Sequence, residues 1–220
     1  MRQWTDAGHL ERDAYIRQAG HPTVTEHYFS NKPTAEERRR RVRFTAWGND
    51  LELATSSGVF AGEGLDKATA ILLRQTSPPP KDATVLDLGS GWGPIACSIA
   101  VASPDSTVWA TDVNERAVEL TRLNAESMGV DVHAAMPDDV PDDIQFDAIW
   151  SNPPIRVGKA ALHKMLLHWL PRLTPDGRAH LVVGKNLGAD SLQRWLIEQG
   201  WPTDRMAAEQ SFRVLAVHRP

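Results

Sequence analysis

The stretch Val85-Leu86-Asp87-Leu88-Gly89-Ser90-Gly91-Trp92-Gly93-Pro94 constrains this chain more than any other. Thr84 to Leu88 is a short apolar run of β-formers that stops at alternating glycines. Pro94 then opens Ile95-Ala96-Cys97-Ser98-Ile99-Ala100-Val101-Ala102, which reads as a buried helix. Strand, glycine turn and helix is the layout of a nucleotide-type binding loop. Glycine lets the backbone approach a ligand closely, and the helix start offers free N–H groups. Spacing then narrows the ligand. A dinucleotide fingerprint has its third glycine three residues after the second, where this chain has Pro94. A phosphate-cradling loop needs Lys-Ser or Lys-Thr directly after its last glycine, and neither follows.

Two further elements follow in order. Thr107-Val108-Trp109-Ala110-Thr111-Asp112 is a strand-like run ending in a carboxylate about 20 residues past the loop, where ribose hydroxyls are held in folds of this kind. Val113 follows it, and Asn114 is placed to cap the next helix. Later, Phe146 to Trp150 reads as a buried strand leading into Ser151-Asn152-Pro153-Pro154. In an open α/β sheet, ligands sit at the C-terminal ends of the strands. Two consecutive prolines remove two donors and fix the backbone. The Asn152 side chain and nearby carbonyls then remain as acceptors, suited to an exocyclic amino group.

Strands are expected at 84–88, 107–112, 130–134, 146–151 and 178–184, and helices near 94–103, 114–128, 159–171 and 188–199. Two short closing strands, 202–208 and 212–218, are expected to add one antiparallel strand. This alternation implies an α/β fold: a Rossmann-like, doubly wound, mainly parallel seven-stranded sheet with helices on both faces and a C-terminal antiparallel hairpin. Upstream, Arg41-Val42-Arg43-Phe44-Thr45-Ala46-Trp47 and Leu51-Glu52-Leu53-Ala54-Thr55 alternate around Gly48-Asn49-Asp50, which predicts a small N-terminal β-hairpin appendage. Asp66 stands near the start of a short helix reaching Leu73. The proline-rich Ser77-Pro78-Pro79-Pro80-Lys81 suggests a division into an N-terminal extension, 1–80, and a main domain, 81–220.

Charge is uneven. Residues 1–48 hold 9 Lys and Arg against 6 Asp and Glu, and the remainder 15 against 22. The run Arg38 to Arg41 reads either as a solvated strand edge or as a phosphate-contacting patch. One cysteine, Cys97, argues against a disulfide framework and suits a reducing cytoplasm. No apolar run approaches the roughly 18 residues of a membrane span, and the polar N-terminus does not read as a signal peptide. The scattered His9, His21 and His27, and the pair His163 and His168, lack metal-ligand spacing, so no metal is expected.

The ordered set Asp87-x-Gly89-x-Gly91-x-Gly93, Asp112 and Asn152-Pro153-Pro154 resembles class I S-adenosylmethionine (SAM) methyltransferases, and within them the "methyltransferase small" family. That family includes the rRNA small-subunit guanine-N2 enzymes and single-domain archaeal relatives. Gly58-Val59-Phe60 with Leu65-Asp66-x-x-Thr69, the run Ile155 to Lys159, and Phe212-Arg213-Val214-Leu215 extend the resemblance over about residues 28–220. It implies SAM as cofactor, held by Asp87, Gly89, Ser90, Gly91, Trp92, Gly93, Asp112, Val113, Asp138 and Asn152. It implies catalysis at Asn152, Pro153 and Pro154. A cationic sulfonium also suits a carboxylate-flanked loop better than a pyrophosphate does.

The implied substrate is an exocyclic amine, that of guanine in 16S-type rRNA, with RNA or the small ribosomal subunit as partner. Phe60, Ile155, Arg156 and Lys159 would contact it. Family members often carry an aromatic residue after Asn-Pro-Pro to stack on the target base, and here that residue is Ile155. Stacking then falls to another residue, Phe60 being the candidate, or the substrate differs. A small-molecule amine or a protein glutamine is the alternative, and a SAM-binding protein without catalysis a third.

Overall fold

The computed structural model describes residues 39–56, 64–154 and 157–220. The expectations for Arg38, the N-terminal histidines and the Gly58–Phe60 stretch lie outside them.

The chain opens with an antiparallel ribbon, β1 (Arg39–Ala46) and β2 (Asn49–Ser56). Its turn is tighter than the sequence suggests. Trp47 and Gly48 alone form it, with φ of 47° and 79°, and Asn49 and Asp50 already belong to β2. Two left-handed residues match the right-handed twist of the strands they join. Tryptophan seldom adopts that conformation. Here its indole Nε1 donates to the Thr76 carbonyl at 2.7 Å, which ties the turn to the end of the following helix. Val42, Ala46, Leu51 and Leu53 face the core, while Arg41 and Arg43 both reach Glu52 on the open face.

Helix α1 (Lys67–Gln75) starts at Asp66, whose carboxylate accepts from the Ala68 and Thr69 N–H groups. Then come β3 (Thr84–Leu88), α2 (Pro94–Ala102), β4 (Thr107–Thr111), α3 (Glu115–Met128), β5 (His133–Ala135) and β6 (Phe146–Ser151). The chain ends with α4 (Lys159–Trp169), β7 (Leu173–Gly184), α5 (Ala189–Glu198), β8 (Thr203–Glu209) and β9 (Phe212–His218). The seven-stranded sheet has the order β5-β4-β3-β6-β7-β9-β8. Only β9 runs against its neighbours. The ribbon, α1, α2 and α3 pack on one face, around Leu53, Leu72, Ile95 and Val118. Helices α4 and α5 pack on the other, around Leu166, Trp169 and Leu196. This is the doubly wound fold expected from the alternation.

Three elements differ from the sequence expectation, each for a local reason. Strand β5 is shorter than 130–134, because Gly129 (φ 66°) closes α3 in a turn that also uses Val130, whose N–H donates to Ala125 O at 3.0 Å. Helix α4 stops at Trp169, and Leu170–Arg172 is one tighter turn around Pro171, which has no N–H to continue an α-helix. Strand β7 starts five residues early, since Leu173 already pairs with Phe146 before Thr174 to Gly177 bulge out and pairing resumes at Ala148 and Arg178. Gly177 is required there: a Cβ would lie 2.8 Å from the Phe146 carbonyl oxygen.

Candidate active site

From β3 the chain moves outward through β4 to β5, then crosses to β6 on the other side of β3. That reversal opens a crevice at the C-terminal ends of β3, β4 and β6, the usual ligand position in such sheets. The glycine loop, Asp112 and Asn152 all stand at these ends.

The loop is pinned to β4, with Gly89 N–H and Ser90 N–H both donating to the Thr111 carbonyl at 2.8 and 3.0 Å. Its glycines divide by purpose. Nothing lies within 4 Å of where a Gly91 side chain would begin, and Gly89 meets only Pro154 Cδ at 3.9 Å. These two keep a cradle open. Gly93 (φ 82°) instead lets α3 pack closely, because a Cβ would lie 2.9 Å from the Thr121 side chain.

Asp87 is fully buried under the loop. Its Oδ2 accepts from Ala96 N–H at 2.9 Å in the first turn of α2. Its Oδ1 is buried without a partner among the described residues. Burial pushes the Asp87 carboxyl up to about 7; the Ala96 N–H opposes this and the Asp112 charge adds to it. Asp112 accepts from Gly91 N–H at 3.0 Å and Asn114 N–H at 2.9 Å, and burial raises it too. Two desolvated carboxylates beside an open glycine cradle, one with an orphaned oxygen, suit a ligand that brings positive charge.

Asn152 follows β6. Ser151 Oγ, donating to the Leu88 carbonyl at 2.6 Å, holds the end of β6 against the end of β3. The Asn152 Nδ2 donates to Asp66 Oδ2 at 2.8 Å and to Thr69 Oγ1 at 3.1 Å. Both amide hydrogens are engaged by α1. The side-chain carbonyl oxygen is left as the acceptor, beside a buried Pro153 that has no N–H to compete.

The other expected site residues are placed as follows. Ser90 is buried, its Oγ 3.5 Å from Thr121 Oγ1. The Trp92 indole is buried and packs edge-on against Phe44, centroids 6.1 Å apart. Val113 is exposed at the end of β4. Asp138 is exposed in the short turn Pro137–Asp139 after β5, and Lys159 is exposed as the first residue of α4. Phe60, Ile155 and Arg156 lie outside the described residues. Cys97 is buried and its thiol is pushed up to about 12, so it offers no nucleophile. Among the described residues no cluster of His, Cys, Asp or Glu could hold a metal ion, and no helix is long and apolar enough to cross a membrane.

Asp66, Thr69 and Asn124 were not read from the sequence as parts of this site. Asp66 and Thr69 entered only as part of the Leu65-Asp66-x-x-Thr69 resemblance, and Asp66 also as a helix start, without a role at Asn152. Asn124 is a buried amide in mid-helix: its Nδ2 donates to the Trp92 and Ala54 carbonyls at 2.7 and 2.8 Å, and its Oδ1 accepts from Ala54 N–H at 2.7 Å.

Residues 50–216 match the methyltransferase small domain family. The chain belongs to that family. With it, the chain is a SAM-dependent methyltransferase. The uncharacterized protein YbxB of Bacillus subtilis is 33% identical over 172 residues, 76% of this chain and 86% of YbxB. The ribosomal RNA small subunit methyltransferase C of Shewanella amazonensis is 32% identical over 130 residues, 59% of this chain and 38% of that protein. Among solved structures, the T. thermophilus 16S rRNA N2 methyltransferase RsmC, in complex with AdoMet and guanosine, superposes with a TM-score of 0.73 at 21% identity. It covers 86% of this chain and 52% of RsmC, and shows the shared fold. The methyltransferase of this family therefore spans little more than a third of its Shewanella rRNA-modifying relative and about half of RsmC.

Proposed function

We propose that this methyltransferase modifies an exocyclic amino group, that of a guanine N2 in small-subunit rRNA. The observation that carries the reading is the Asn152 amide, whose NH2 is engaged by α1 and whose oxygen is left as an acceptor at the strand ends. An acceptor at that place takes an N–H of the incoming amine. The Pro153 carbonyl would take the other. So held, the nitrogen lone pair turns out of conjugation with the ring. Bound SAM supplies an electrophilic methyl group on a sulfonium sulfur. Gly89 to Gly93 would hold its methionine part, with Asp87 facing the charge beneath the loop. Asp112 would accept the ribose hydroxyls, Val113 and Asp138 would line the adenine, and Asn152 would close the site. Positioning and fixed dipoles then supply most of the acceleration, and the amine proton leaves to water after transfer.

The names of the rRNA-modifying relatives support the substrate class. Phe60, Ile155 and Arg156 are proposed to contact the target with Lys159, and Arg40 is an exposed cation on β1 that could meet phosphate. The test of the amine reading is Asn152→Ala. SAM affinity, measured by calorimetry, should stay near that of the wild type, while turnover on small ribosomal subunits should fall at least ~10²-fold. Normal turnover by this variant would remove Asn152 from the reaction.

A further inference from the structure

We propose that Asp66 and Thr69 are positioning residues for methyl transfer, together holding the Asn152 amide in the one orientation that presents its carbonyl oxygen to the acceptor amine. The proposal rests on the reading of Asn152 given above. Asp66 and Thr69 lie 86 and 83 residues from Asn152 in sequence, yet each takes one hydrogen of its NH2, at 2.8 and 3.1 Å. The amide could in principle be rotated by half a turn. Its oxygen would then face the Asp66 carboxylate, acceptor against acceptor, and its NH2 would face the amine, donor against donor. Asp66 is itself immobile, because the same Oδ2 accepts from Ala68 N–H at 2.9 Å and Thr69 N–H at 3.1 Å. Thr69 is buried on the first turn of α1, and Ile71 and Leu72 seat that helix in the core. The amide is thus set by a rigid element rather than by the loop that carries it.

A helix cap alone would explain Asp66 without involving the reaction, and three substitutions separate the two roles. Asp66→Ser keeps a good cap but is one atom too short to reach Asn152. Asp66→Asn keeps both contacts through its own carbonyl oxygen. Thr69→Val keeps the shape and removes the hydroxyl oxygen. The Asn152 side-chain NH2 is read by 15N–1H spectroscopy, its signals identified by their absence in Asn152→Ala. Wild type and D66N should show a slowly exchanging, hydrogen-bonded NH2; D66S and T69V should shift it towards a free amide. On small ribosomal subunits with methyl-labelled SAM, D66S and T69V should lower kcat about tenfold and leave the SAM Kd within about twofold. D66N should restore kcat. The same substitutions in the N152A background should change kcat less than about twofold, since their effect passes through Asn152.

Wild-type kcat in both D66S and T69V, with N152A impaired, would overturn the proposal. So would equal losses in the wild-type and N152A backgrounds, or an unaltered Asn152 NH2 signal. Should N152A itself turn over normally, the reading of the site fails instead. The amide signal still decides whether Asp66 and Thr69 hold Asn152.

Discussion

At the scale of single residues, the site depends on a few polar atoms placed where water is excluded. Asp87 shows it most clearly. Its carboxyl is raised from 3.8 to about 7, mainly by burial. The folded state therefore binds more protons than the unfolded state between those values, and Asp87 makes the ligand-free protein less stable as pH rises from about 4 to about 7. His180, half-buried against Trp150 and lowered from 6.5 to about 4 mainly by desolvation, acts in the opposite sense between those two values. The difference between two proteins isolates the carboxylate. Melting temperatures of wild type and Asp87→Asn, followed from pH 4 to 8 without SAM, should converge at low pH. The wild type should then fall relative to the variant as pH rises. Parallel curves would mean that Asp87 titrates as an ordinary carboxylate. That Asp87, the glycines, Asp112 and Asn152 gather at neighbouring strand ends was legible in the sequence, because each stands in or just after a strand-like run at a fixed spacing. The parts of Asp66, Thr69 and Asn124 were not. Asp66 and Thr69 stood in a motif of the resemblance, but their contact with Asn152 joins residues more than 80 apart, and an isolated Asn in mid-helix such as Asn124 reads equally well as a surface residue.

At the scale of elements, the alternation of strand and helix was legible because apolar period and glycine punctuation are local. The deviations arose where a pairing partner or a packing contact decided the boundary: the Trp47–Gly48 turn held by Thr76, the bulge before Arg178, the shortened β5. The junction between the N-terminal ribbon and the glycine loop is of this kind. Asn124 of α3 pairs with both backbone groups of Ala54 on β2 and holds the Trp92 carbonyl. Asn124→Ala would leave buried backbone groups of two elements without partners. Each such group costs about 1–3 kcal/mol, so stability should fall by at least about 2 kcal/mol. The urea midpoint should drop accordingly, and SAM affinity should weaken with it, because the loop loses one of its anchors. An unchanged midpoint would show that water replaces the amide at no cost.

At the scale of the whole molecule, the sheet order sets the site. Strand β3 lies between β4 and β6, and the reversal of connection beside it brings three strand ends together. The surface charge is mixed. On the ribbon, Glu52 takes up Arg41 and Arg43 and its own carboxyl is lowered by them, while Arg40 stays exposed. Of the run Arg38 to Arg41, Arg41 pairs with Glu52, which Arg43 shares, so that one carboxylate offsets one of the two cations. If RNA is the partner, its affinity should drop steeply between about 50 and 200 mM salt, as each phosphate contact releases counterions. A flat salt response in filter binding would remove a phosphate-led interface.

The most direct measurement follows the methyl group. Methyl-labelled SAM would be incubated with the protein and, separately, with small ribosomal subunits, free rRNA, tRNA and a protein extract, all from cells lacking the gene. Labelled RNA would be digested to nucleosides. The expected result is label in small-subunit rRNA, recovered as N2-methylguanosine. Label absent from every nucleic acid fraction, with SAM binding intact, would contradict the rRNA reading and leave an amine of a small molecule or protein as the acceptor.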